Sequence, residues 1–132
     1  MPEIDYWAVL AAAVSSFVLG GMWYSPVLFG RVWQHAAGLS DAQLRSGNLA
    51  LIFGLNLILS LLIALVFALL LGPGPSLGKG LATGVLAGSC WVAASFGMNY
   101  LFERKSLTLF LINGGFHTVQ FTLIGLVLAL WA

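Results

Sequence analysis

The sequence predicts an all-α protein: an integral-membrane four-helix bundle with a short interfacial helix between its first and second spans. Three observations predict it. The chain is 61% hydrophobic and only 7% charged, whereas a soluble domain carries roughly 25% charged residues. Four apolar stretches each reach the ~20 residues that a helical crossing of a bilayer requires. The helix-breaking and charged residues fall between those stretches, and the two-residue alternation of a membrane β-barrel is absent.

The spans follow in order within a single transmembrane domain covering residues 1–132, at about 5–24, 48–71, 77–102 and 107–131. No charged residue lies in the central part of any span. The first opens with Glu3 and Asp5 and no Lys or Arg, and its apolar run exceeds the core of a secretory leader, so it reads as a retained helix. Pro26 closes it, because its ring and missing N–H cannot continue a helix. Gly72-Pro73-Gly74-Pro75 separates the second and third spans, and Glu103-Arg104-Lys105-Ser106 the third and fourth.

The first loop has structure of its own. Leu28, Phe29, Val32 and Trp33 share one helical face, with Arg31, Gln34 and His35 elsewhere, which reads as a short helix lying in the interface. A plain connecting segment resting on the headgroups is the alternative. Ser40 and Gln43 have the spacing of a capping box and predict a second short turn.

Short-loop Lys and Arg count sets orientation. Arg31, Arg45, Arg104 and Lys105 lie in the first and third loops, and Lys79 alone lies elsewhere. The expectation is therefore that these two loops face the cytoplasm and both termini lie outside. Aromatic residues fit belts at both faces: Tyr6, Trp7 and Trp131 at the outer, Trp23, Tyr24 and Tyr100 at the inner. Trp91 falls near mid-membrane and is expected to pack inside, and Cys90 reads as a small buried hydrophobe. Trp23, Tyr24, Pro26, Phe29 and Trp33 together read as an interfacial anchor.

In lipid, apolar contact gives little net drive for helix association; close backbone approach and hydrogen bonds supply it. Small residues recur at spacing four in three spans: Ala8, Ala12, Ser16 and Gly20; Asn56, Ser60, Ala64 and Ala68; and Gly80, Gly84 and Gly88. These stripes predict tight contacts, within one chain or between chains, and a homo-oligomer is expected. The lipid bilayer is the surrounding medium, and a partner membrane protein is a further possibility the sequence does not identify. A net charge of +1 offers no basic face for nucleic acid.

The candidate chemistry lies on the fourth span. Asn113, His117 and Gln120 stand at i, i+4 and i+7 on one face. Polar groups at this depth need a partner or water, and Asn56 and Asn99 are candidate partners. His117 reads either as a proton-relay group, since imidazole titrates near neutral pH, or as neutral glue between helices. His35 and His117 are the only histidines and belong at different levels, so no metal site and no cofactor are expected. No catalytic residue is assigned, for the nucleophile elbow, paired aspartates, zinc-protease helix and phosphate-cradling loop are all missing.

The run Gly20-Gly21-Met22-Trp23-Tyr24-Ser25-Pro26-Val27-Leu28-Phe29-Gly30-Arg31-Val32-Trp33 is the most distinctive stretch. With Asn113-Gly114-Gly115-Phe116-His117, Gly125 and Trp131, it resembles the bacterial membrane family "domain of unknown function 1761" over nearly the whole chain. That resemblance implies a multi-pass protein of a bacterial inner membrane and a four-helix layout, and it brings no substrate or catalytic residue. Two functional classes then compete: a structural or accessory protein acting through helix contacts, and a pore or carrier lined by Asn113, His117 and Asn56.

Overall fold

The computed structural model describes residues 4–131, and its described residues form helices and connecting turns without a strand. Six helices follow: α1 Tyr6–Trp23, α2 Gly30–Ala37, α3 Asp41–Ser46, α4 Leu49–Leu71, α5 Leu77–Glu103 and α6 Leu107–Trp131. Four of them, α1, α4, α5 and α6, are long and apolar enough to cross a membrane. Every helix start except that of α2, where Phe29 offers no capping side chain, is fixed by a side chain that accepts otherwise unpaired backbone N–H groups. Asp5 caps α1, Asn48 α4 and Ser76 α5, and the Ser106 hydroxyl accepts from Leu109 N–H at the start of α6. Ser40 and Gln43 form a complete capping box at α3.

The packing order differs from the chain order. Helix α6 is central: α5 lies along one side of it and α1 along another, and α4 packs along α1 and meets α6 through its second half, where Phe67 lies against Phe121. The core joins Ala8, Val9, Ala12 and Ala13 of α1, Ala64, Phe67 and Leu71 of α4, and Ile124 and Leu128 of α6. The α1 stripe therefore serves contacts inside the chain, and so do Ser60 and Ala64 of α4.

The glycine stripe of α5 also closes within the chain. A Cβ placed on Gly80 would run into the Gly125 carbonyl of α6; one on Gly84 would lie 2.7 Å from Thr122 Cα; one on Gly88 would lie 2.7 Å from Thr118 Cα. Backbone lies against backbone, which is how lipid-embedded helices gain dispersion and hydrogen-bond energy. Past Gly88 the small-residue spacing slips by one. Ala87–Ala93 winds as a π-helix, a widened turn that takes up one extra residue. The next small residues facing α6 are consequently Ala93, against Gly114, and Gly97, against Phe110. Without the slip, Val92 would have to enter a contact with no room for it.

Two expectations are corrected here. Trp91, expected inside, is 69% exposed, and Cys90, expected buried, is exposed as well. The π turn carries Trp91 away from α6, whereas Cys90, two residues past Gly88 and so about 200° around the helix, faces outward in either winding.

Candidate functional site

The polar residues of α6 converge on two hydrogen-bonded groups. In the first, the Asn113 carboxamide bridges two tyrosines from different helices: Tyr24 O–H donates to Asn113 Oδ1 at 2.6 Å, and Asn113 Nδ2 donates to Tyr100 Oη at 2.7 Å. Beside it, Trp23 Nε1–H donates to the Ile112 carbonyl at 3.0 Å. The indole lies over Gly115, where an added Cβ would meet the ring at 3.5 Å, an ordinary contact. In the second group, Gln120 is buried and donates from Nε2 to Ser16 Oγ of α1 at 2.8 Å, while its Oε1 lies 2.6 Å from His117 Nδ1. With the carboxamide set this way, neutral His117 carries its proton on Nδ1. Its ring stacks on Phe96 at 5.0 Å and meets Phe116 edge-on at 4.9 Å.

The local sequence explains why the end of α1 reaches α6. Tyr24 ends the helix one residue before Ser25-Pro26, and Ser25 Oγ–H donates back to the Met22 carbonyl. The chain then folds under itself, with Phe29 N–H donating to Trp23 O and Gly30 N–H to Ser25 O. Gly30 is required there: an added Cβ would strike the Tyr24 carbonyl and sit 2.7 Å from Ser25 O. This reversal packs Phe29 against Trp23, the rings tilted by 47° with centroids 4.8 Å apart, and sets Trp33 edge-on to Tyr24 at 5.5 Å. Trp23 and Tyr24 thus do more than anchor a helix end at the headgroups. Their polar atoms turn inward and clamp α1 to α6, while Phe29 and exposed Pro26 keep the outer position.

The expected partners Asn56 and Asn99 are not brought to this cluster. Both are exposed, on α4 and α5 respectively, while Tyr24, Tyr100 and Ser16 hold the places assigned to them. The reason is the packing: α4 meets α6 only through its second half, where Phe67 lies against Phe121, so Asn56 in its exposed first half does not reach the polar face, and Asn99 is exposed on α5. Tyr100 was legible only as a belt residue; the spacing carries no signal that pairs it with Asn113. His35 is exposed on α2, far along the chain from His117. No group of three potential metal ligands occurs among the described residues.

Two surface cavities flank the bundle. One, of about 460 Å³, lies where α1 begins and α6 ends, between Asp5, Leu71, Pro73 and Trp131. The other, of about 300 Å³, is a shallow groove along Trp91, Ser95 and Asn99 of α5. Neither is lined by Asn113, His117 or Gln120. The hydroxyls of Ser15, Ser60, Ser89, Thr118 and Thr122 all donate to the carbonyl four residues earlier in their own helices, so none of them is paired with a base.

Fold and site together define a small all-α bundle with four membrane-compatible helices, cross-linked at one end by an aromatic and carboxamide clamp. The chain matches the family described as "Protein of unknown function (DUF1761)" over residues 7–129, and it belongs to that family. No curated protein and no solved structure is similar to it.

Proposed function

We propose that the protein is a structural or accessory component of a membrane, acting through helix contacts with itself or with another membrane protein rather than conducting a solute or catalysing a reaction. The observation that carries this reading is the closure of the α6 polar face. A pore or carrier needs polar groups left open to water. Here Asn113 and Gln120 spend their hydrogen bonds on Tyr24, Tyr100, His117 and Ser16. In this reading the arginine-bearing loops at 27–47 and 104–106 face the cytoplasm of a bacterial inner membrane, and both ends of the chain lie on the other side.

The test is reconstitution of the full chain into lipid vesicles, with stopped-flow measurement of water, glycerol and proton entry. The expected result is permeability equal to protein-free vesicles. Entry above that background, abolished by His117→Ala or Gln120→Leu, would overturn the reading.

A further inference from the structure

One helix is left without the contacts its polar residue needs. The first half of α4, residues 49–59, is exposed at every position except half-buried Leu57, and its ring contact to the bundle is an edge-on approach of Phe53 to Phe17. Asn56 lies in this half, seven residues from the helix start. At 1.5 Å per residue that is about 10 Å into the span, with Leu55 and Leu57 on either side. Its side chain has no hydrogen-bond partner among the described residues; only its backbone carbonyl is used, by Ser60. Asn99 is also exposed, but it stands four residues from the end of α5, about 6 Å by the same rise, within reach of headgroups and water.

Asn56 is also part of a regular pattern. Leu49, Ile52, Asn56, Leu59, Ile63, Val66 and Leu70 follow one another at alternating spacings of three and four. This is the spacing by which two helices wrap around each other. Leu51, Leu55, Ile58, Leu62, Leu65 and Leu69 show it too. Asn56 is what singles out this face, since one asparagine in such a seam fixes register and number of strands. The seam lies to the side of the face that Ser60, Ala64, Phe67 and Leu71 bury against α1. All its members except half-buried Ile63 are exposed.

We propose that α4 is a self-association helix, its seam docking against the same seam of a second copy with the two Asn56 carboxamides hydrogen-bonded to each other. This rests on the reading above, and names its partner as the chain itself. A second copy is the occupant because a carboxamide both donates and accepts, so it satisfies its own image across a two-fold axis. Copies inserted in one direction place that axis along the membrane normal, which makes the α4 helices parallel and sets Asn56 against Asn56. The small-residue stripes of α1 and α5 close within the chain, and a polar pair inside a heptad seam is a source of association that α4 leaves open.

The test uses the full chain in lipid vesicles, with Cys90 replaced by Ala. Fluorescence energy transfer between labelled copies, followed as lipid is added, gives the association constant. Asn56→Ala should weaken association roughly 3- to 20-fold; Asn56→Gln should restore most of it, and Asn99→Ala should leave it unchanged. Unaltered helical content by circular dichroism shows that each variant is folded. A cysteine at Leu59, in the seam, should form a disulfide between copies; one at Ile58, equally exposed but off the seam, should not. Monomeric wild-type protein, equal disulfide formation at both positions, or association indifferent to Asn56→Ala would overturn the proposal. Association through another face would defeat this interface and leave the accessory role standing, whereas solute flux would defeat that role whatever α4 does.

Discussion

Replacing Gly84 with alanine tests the contact on which the fold turns. The new Cβ would run into the Phe121 carbonyl and lie 2.7 Å from Thr122 Cα, where ordinary contact begins at 3.4 Å, so α5 and α6 must part locally by more than about 0.7 Å. Both obstacles are backbone, so no rotamer change relieves them, and overpacking of this kind costs about 1–3 kcal/mol. The helices flanking the site lose contact as they separate, which puts the expected loss in the upper half of that range. Gly21→Ala is the control: no atom lies within 4 Å of its added Cβ, and alanine at a compatible helical glycine stabilises by about 0.4–1 kcal/mol. The two variants therefore move in opposite directions. Equilibrium unfolding by dodecyl sulfate in mixed micelles, followed by circular dichroism, measures both. Equal stability of Gly84→Ala and Gly21→Ala would refute the close α5–α6 contact.

Further outcomes follow from the polar clusters and the reversal after α1. Gln120→Leu strands Ser16 and His117 at once and should destabilise the bundle by about 1–3 kcal/mol, more than Ser16→Ala, as read by the same unfolding titration. Tyr24→Phe and Tyr100→Phe each remove one hydrogen bond to Asn113 and should each cost about 0.6–1.7 kcal/mol. In a double-mutant cycle with Asn113→Leu their effects should fail to add, and simple additivity would argue against the bridge. Gly30→Ala should open the turn below α1 and release Trp23 from Ile112, seen as a red shift and increased quenching of tryptophan emission relative to Gly21→Ala.

The parts of this fold set by the bilayer were legible in the sequence. Length and hydropathy fix a lipid-spanning helix almost alone, because every backbone hydrogen bond must be satisfied within the segment. The capping box at Ser40 and Gln43 was equally plain, since capping is local chemistry. Packing order was not legible: the small-residue stripes show that α1, α4 and α5 have close neighbours, but not that α6 is the neighbour all three share. The π turn hid a further part. The glycine spacing of α5 ends at Gly88 when read at four residues per repeat, and only the extra residue in Ala87–Ala93 reveals Ala93 and Gly97 as its continuation and Trp91 as an outer residue. At the polar site the sequence marked Asn113, His117 and Gln120 but paired them with amides. Their tyrosine and serine partners come from positions 89 and 104 residues distant in two of the four bonds, a separation on which spacing is silent.

The most direct test of the account is the sidedness of its loops. Single cysteines at Ser40, Gly74 and Lys105, in a Cys90→Ala background, are exposed to a maleimide that cannot cross the membrane of intact cells or sealed vesicles of known orientation. Four threading helices require Ser40 and Lys105 to react from one face and Gly74 from the opposite one. Labelling of Ser40 and Gly74 from the same face would contradict it.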